Sequence, residues 1–130
     1  MSLKNELLEN NYSIVSSNGY HSFDSGIRPL IIPMIENPLF FKGQSVADKI
    51  IGKASALLLV YAQVKEVYTP LLSKAGREVF DRFHIPYEYD EETEYIVNRT
   101  GDDMCPMEKC VNQIDDPKEA FEALRKKLSL

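Results

Sequence analysis

Apolar residues are concentrated in one stretch of the sequence, SVADKIIGKASALLLVY at residues 45–61. It opens with Ser45-x-x-Asp48, which matches a capping box, the pattern in which two side chains satisfy free backbone N–H groups at a helix start. The apolar positions behind it recur at helical spacing, and residues 54–62 are apolar on almost every side. The pattern predicts a central helix over residues 45–61, buried on most of its circumference.

Shorter alternating runs occupy residues 12–17 and 20–24, on either side of Asn18-Gly19. Asn-Gly between such runs is the strongest local signal for a β-hairpin, because both turn positions need a positive φ. We therefore predict two antiparallel strands at these positions. A short helix should follow, with Pro29 in its first turn, where a backbone N–H would have no helical partner.

Strand and helix patterns alternate after the central helix. Residues 65–69 are typical of a strand, and Pro70 opens a helix whose apolar positions recur every three or four residues as far as Phe83. Residues 85–89 are typical of the next strand. A strand, a helix of about a dozen residues and a second strand predict a parallel pair with a right-handed crossover.

The C-terminal third adds three predicted elements. Residues 93–98 resemble a further strand, and residues 105–111 a short helix. Asp116-Pro117 is typical of a helix start and is followed by one apolar stripe. The acidic residues 90–94 are interpreted as a solvated connection. Together the elements predict an α/β fold, one domain over residues 1–130 with a mixed sheet in a three-layer α/β/α arrangement.

Composition narrows the functional classes. The net charge of −5 argues against nucleic acid as a partner, because neutralising phosphates needs a basic face. Two cysteines do not make a disulfide framework, which favours a reducing compartment. Residues 1–11 lack an apolar signal core, and the longest apolar run is well below the ~20 residues of a membrane span. We expect a cytoplasmic protein with no membrane role.

Cys105 is the first candidate for a catalytic residue. It lies at or beside the N-cap of the predicted short helix, where backbone N–H groups and the helix dipole lower the pKa of a thiol. Glu108 would close that cap, and Arg99 and Lys109 would supply positive charge nearby. The alternative is a half-buried structural cysteine, because free cysteine is among the most buried residue types.

Six residues are candidates for binding a ligand. Lys53, within an apolar helix, would hold a carboxylate or phosphate, or act as a base, unless it lies on a solvated face. An arginine in the loop before the second helix would anchor an anion or form an ordinary salt bridge. Asn98 and Arg99 end a predicted strand, where open α/β sheets bind ligands, unless they only terminate the sheet. The set is Arg28, Asp48, Lys53, Asn98, Arg99 and Glu108.

No metal or cofactor is expected. Cys105 and Cys110 lack C-x-x-C spacing, so a zinc site would need His21 or His84 to approach them, and no local pattern indicates this. The sequence has no glycine-rich phosphate loop and no G-x-S-x-G nucleophile elbow. Neither nucleoside triphosphate hydrolysis nor serine hydrolase chemistry is therefore indicated.

Four short motifs occur together: SGIRPL at residues 25–30, VADKIIGKA at 46–54, IVNR at 96–99 and DMCPME at 103–108. As a set they resemble an uncharacterised prokaryotic family of small proteins, a domain of unknown function grouped with the cytidine-deaminase-like fold. The resemblance spans about residues 10–128. It implies the order hairpin, helix, strand, helix, strand, which agrees with the elements predicted above.

The resemblance also implies what is missing. True deaminases carry His-Ala-Glu at the start of the central helix and Pro-Cys-x-x-Cys at the start of the next helix, where His and two Cys bind zinc and Glu transfers the proton. Lys53-Ala54-Ser55 matches the first position here, and residues 70–74, PLLSK, match the second. Lysine and leucine do not bind zinc in such sites. The resemblance therefore implies loss of zinc-dependent deamination.

Two classes of function remain open. The first is binding of a small-molecule or nucleotide-like ligand near the start of the central helix, with or without metal-free chemistry at Cys105. The second is a non-catalytic regulatory or protein-interaction module. A homodimer is suggested only by analogy with related folds.

Overall fold

The computed structural model of the chain describes residues 2–130, and these form a mixed sheet with helices on both faces. The helices are α1 (Ser2–Glu9), α2 (Arg28–Glu36), α3 (Lys53–Tyr61), α4 (Lys74–Phe83), α5 (Pro106–Val111) and α6 (Pro117–Lys127). The strands are β1 (Ile14–Ser16), β2 (His21–Ser22), β3 (Ser45–Asp48), β4 (Ile50–Ile51), β5 (Glu66–Ser73) and β6 (Tyr87–Thr93). None of the helices in this range is long and apolar enough to cross a bilayer.

The long strand β5 lies at the centre of the parallel part of the sheet. β3 and β4 run along one of its edges and β6 along the other, all parallel to it. β1 joins β3 antiparallel, and β2 completes the hairpin with β1. Gly19 has a φ of +96° as expected for the turn, but Asn18 does not have the positive φ that was predicted for it. The predicted hairpin, the mixed sheet and the parallel β5–α4–β6 unit are therefore confirmed.

The two faces of the sheet are covered unequally. α1 packs on one face, where Leu3 and Leu7 meet Val15, Ala47 and Tyr68. α3 lies in the larger core of the opposite face, and every side chain from Ala54 to Leu59 is buried. α4, α5 and α6 surround α3. The arrangement is the predicted three-layer α/β/α fold.

The predicted central helix begins eight residues too early, because α3 starts at Lys53 and not at Ser45. The residues before it form β3 and β4, both parallel to β5, in which Val46, Ala47 and Ile51 are fully buried. Such strands are apolar on both faces, so periodicity alone does not separate them from a buried helix. The Ser45 hydroxyl donates to Glu66 Oε2 at 2.8 Å, and Asp48 ends β3 instead of capping a helix.

The start of the helix that follows the central helix was also predicted too early. Pro70 lies inside β5, and α4 begins after Ser73, whose Oγ accepts from Gly76 N at 3.0 Å. Proline has no N–H for a β-ladder. Paired positions skip Pro70 on the β6 side, and on the other side it falls opposite Lys49, the break between β3 and β4. Lys49 N donates instead to Ser13 O at 2.9 Å.

The C-terminal predictions were partly right. Of the acidic residues assigned to a connection, Asp90, Glu91 and Glu92 belong to β6 and Glu94 follows it. The separate strand predicted over residues 93–98 does not form, since Val97 makes only an isolated bridge with Met104. The short helix α5 and the last helix α6 are confirmed. Asp116 caps α6 as predicted, accepting from Glu119 N at 2.9 Å.

Candidate functional site

A cavity of about 680 Å³ opens at the carboxyl end of β3. Its walls come from that strand end, the start of α3, the loop before α2 and the segment from residue 96 to residue 108. The apolar part includes Ile27, Ile50, Ile96, Val97 and Met107. Open α/β sheets bind ligands outside the carboxyl ends of their strands, so the position itself indicates a binding site.

The Asp48 carboxyl lines this cavity although the residue is only 8% exposed. Its Oδ1 receives a long hydrogen bond of 3.4 Å from Ile50 N, and no Lys, Arg or His of residues 2–130 forms an ion pair with it. Burial raises the pKa of Asp48 to about 7, and the neighbouring backbone N–H groups offset this only in part. A buried, unpaired acid in a cleft is typical of a functional site.

Glu108 also borders the cavity, but its carboxylate caps α3. Oε1 accepts from Lys53 N at 2.7 Å and Oε2 from Ala54 N at 2.8 Å. The predicted role of Glu108 as the cap of its own helix is wrong, because both of its carboxylate oxygens accept from α3 and Cys105 N donates to Ile96 O instead. The N-cap of α3 is Gly52, which has no side chain that could cap that helix. The free N–H groups at this helix start are thereby satisfied, and a phosphate would have to displace Glu108 to use them.

Gly52 makes room for that carboxylate. A Cβ added to Gly52 would lie 2.2 Å from Glu108 Oε1 and 2.7 Å from Ile96 Cγ1. The φ of Gly52 is −106°, which other residues adopt readily. Space, and not backbone conformation, therefore requires glycine here.

Lys53 does not reach the cavity. Its Nζ donates to Asp115 Oδ1 at 3.1 Å and to Asn112 O at 3.2 Å, which ties the start of α3 to the loop between α5 and α6. The hydrogen bond from Lys53 lowers the pKa of Asp115. The Lys53 side chain is thus directed to that loop and does not line the cavity, so Lys53 is not among the proposed ligand-binding residues.

The two arginines lie at the margin of the site. Arg28 is exposed in a second cavity of about 580 Å³, together with Asp24 and Glu36, and Arg99 lines both cavities. Asn98 organises the loop beside them, since its Oδ1 accepts from Gly101 N at 2.8 Å. The main cavity therefore continues toward a region that contains charges of both signs.

Cys105 is half-buried in the wall of the main cavity. Its backbone N donates to Ile96 O at 2.8 Å, which holds the residue against that wall. Lys109 is bound to Asp103 and does not face the thiol as an unpaired charge. Cys110, on α5, packs against the core.

The structure brings together Cys105, Asp48, Glu108, Asn98 and Arg99, all of which were predicted from the sequence. The apolar walls were not predicted, and neither was Ser55 on α3, which also lines the cavity. The position of Asp48 in the sequence did indicate a site, since a carboxylate within a largely apolar run is unusual unless it is bound or functional.

Residues 2–130 contain no group of three or more His, Cys, Asp or Glu side chains placed to hold a metal ion. The segment matched to Pro-Cys-x-x-Cys, residues 70–74, lies mostly in β5, with only Lys74 in a helix. That match therefore does not coincide with a helix start at Pro70.

Comparisons with known proteins identify relatives of this chain. A family model described as a domain of unknown function, DUF1893 (TM1506), matches residues 2–128. The crystal structure of a DUF1893 family protein, TM1506 from Thermotoga maritima, superposes with a TM-score of 0.88 at 26% identity and covers 97% of this chain and 87% of that one. No curated protein matches significantly.

Proposed function

Because this chain belongs to the DUF1893 family, a domain of unknown function, we propose its role from the geometry of the cavity: the protein binds a small organic ligand at the carboxyl end of β3. The observation that carries this proposal is Asp48, a buried carboxyl that lines a largely apolar cavity and forms no ion pair with any cation of residues 2–130. Ligand sites typically have volumes of about 300–1,000 Å³ and combine apolar walls with a few polar groups. The cavity has both properties.

A nucleotide-like ligand, together with the cytidine-deaminase-like grouping of the fold, is the narrower form of this proposal. Arg99 supports it, because a guanidinium at the junction of the two cavities suits a phosphate. Glu108 restricts it, because its carboxylate already occupies the N–H groups at the start of α3. A phosphate would therefore point toward Arg99 and away from α3.

The binding proposal is tested by titrating the ¹⁵N-labelled protein with cytidine, adenosine, their monophosphates and a set of neutral aromatic fragments. At least one compound should shift the amide signals of Gly26, Gly52 and Val97, which line the cavity. Asp48→Asn should change the affinity of that compound, whereas Glu122→Gln, the corresponding change on the exposed face of α6, should not. If no compound shifts these signals, the protein-interaction alternative is favoured.

Any covalent chemistry at this site is proposed to use Cys105. Because Cys105 lines the cavity and Cys110 packs against the core, iodoacetamide at neutral pH should alkylate Cys105 several-fold faster. Peptide mass spectrometry over a time course measures the two rates separately. A ligand bound in the cavity should slow the labelling of Cys105 alone. Equal, slow labelling of both thiols would contradict an accessible Cys105.

A further inference from the structure

We infer that the ligand of the main cavity carries a cationic nitrogen group, an amine or an amidine, which pairs with the carboxylate of Asp48. This inference rests on the proposed function, since it names the chemical class of the ligand for the same site. It follows from three features of the cavity: the burial of Asp48, the lack of an ion pair between it and any cation of residues 2–130, and the apolar walls.

The carboxyl of Asp48 is buried, with one hydrogen bond of 3.4 Å to its side chain. An ionised carboxylate out of water is strongly disfavoured unless a cation or several donors satisfy it. A ligand cation supplies that partner on binding. An amidinium does so with two parallel N–H groups, the geometry that makes charged pairs strong.

The charged protein groups around Asp48 do not take this role. Lys49 is exposed and donates to Asn11 Oδ1 at 2.7 Å. Arg99 is exposed at the junction of the two cavities, and Glu108 is bound to the backbone of α3. No cation of residues 2–130 forms an ion pair with Asp48, so a cationic ligand would be its charged partner.

Other charged occupants fit less well. An anionic group beside Asp48 would face two carboxylates, Asp48 and Glu108, while the N–H groups at the start of α3 are already bound, so only the Arg99 end of the cavity would suit it. A metal ion would lack ligands, because no cluster of three suitable side chains exists in residues 2–130. The walls contributed by Ile27, Ile50 and Val97 suit an organic cation with an apolar body.

Benzamidine and benzamide make a matched pair of probes, since they have nearly the same shape and differ in charge. We expect benzamidine to bind about tenfold more tightly, the effect of one charge-assisted hydrogen-bonded contact. NMR titration gives both dissociation constants and shows whether Gly26, Gly52 and Val97 respond. In Asp48→Asn the preference should disappear with benzamide binding unchanged, and in Glu122→Gln it should persist.

Benzamide binding in the cavity as tightly as benzamidine would overturn the cationic ligand and leave the proposed function standing. A preference for benzamidine that survives in Asp48→Asn would also overturn it, because the cation would then be held by another group. Benzamidine that shifts only residues outside the cavity, or does not bind, counts against the inference in the same way. Failure of every probe in both titrations would remove the proposed function as well.

Discussion

Replacing Asp48 with asparagine should stabilise the protein by about 4 kcal/mol more at pH 8 than at pH 4. Burial raises the pKa of Asp48 from 3.8 to about 7 in the folded state, and one pKa unit corresponds to about 1.36 kcal/mol. Between these two pH values the folded protein holds a proton that the unfolded chain releases. The contribution of the protonated Asp48 to the free energy of unfolding is therefore fully present below about pH 4 and is lost as the pH rises through about 7.

Urea denaturation of both proteins at several pH values measures this effect. The difference in the free energy of unfolding between variant and wild type should grow from pH 4 to pH 7 and stay level above. Glu122→Gln, on the exposed surface of α6, should show no such growth. Parallel stability curves for Asp48→Asn and wild type would mean that Asp48 ionises normally in the folded protein, which would weaken the argument for a site.

This expected result also bears on function. A residue whose removal stabilises the fold is retained at a cost, and such residues are typical of binding and catalytic sites. An asparagine would fill the same space at Asp48 without the buried charge. The comparison of stability with ligand affinity in one variant therefore links the thermodynamic prediction to the proposed site.

The second large effect is expected for Gly52→Ala, which should destabilise the protein by about 3 kcal/mol. The new Cβ would collide with Glu108 Oε1, at 2.2 Å, so the carboxylate must withdraw from Lys53 N and Ala54 N. The new Cβ would also lie 2.7 Å from Ile96 Cγ1, so it cannot avoid Glu108 by moving toward Ile96. Thermal and urea unfolding measure the loss.

A double-mutant cycle separates the causes. Glu108→Ala alone should cost a similar amount, because it leaves two helix N–H groups without their acceptor. In the Glu108→Ala background, Gly52→Ala should cost only about 1 kcal/mol, since the main clash is gone. Equal costs of Gly52→Ala in both backgrounds would show that the carboxylate does not set the requirement for glycine.

The features predicted correctly from the sequence are those with local causes. Asn18-Gly19 makes its own turn, and Asp116 caps a helix three residues away. These signals lie within a few residues of the structure they specify. The same holds for α2, which begins where Pro29 fits the first turn.

The wrong predictions concern interactions between distant parts of the chain. In residues 45–51, Val46 and Ile51 belong to the larger core and Ala47 to the cluster under α1, so both faces of the sheet need apolar residues, a pattern that resembles a buried helix. Glu108 and Lys53 are 55 residues apart, so the shared cap had no local signature. Lys53 likewise found Asp115, 62 residues away, and not the cavity. Each outcome was decided by packing between elements that the sequence pattern treats separately.

Pro70 lies opposite the break between β3 and β4, and Asp48 is the last residue of β3 before that break. The proline ring takes the place of the amide hydrogen, so β5 has no backbone donor at this position. Lys49, the residue between β3 and β4, lies opposite it. Asp48 therefore lies at the end of an interrupted strand, where its carboxyl lines the cavity. A proline in β5 thus accounts for a gap in the neighbouring strand, at the position where the cavity opens.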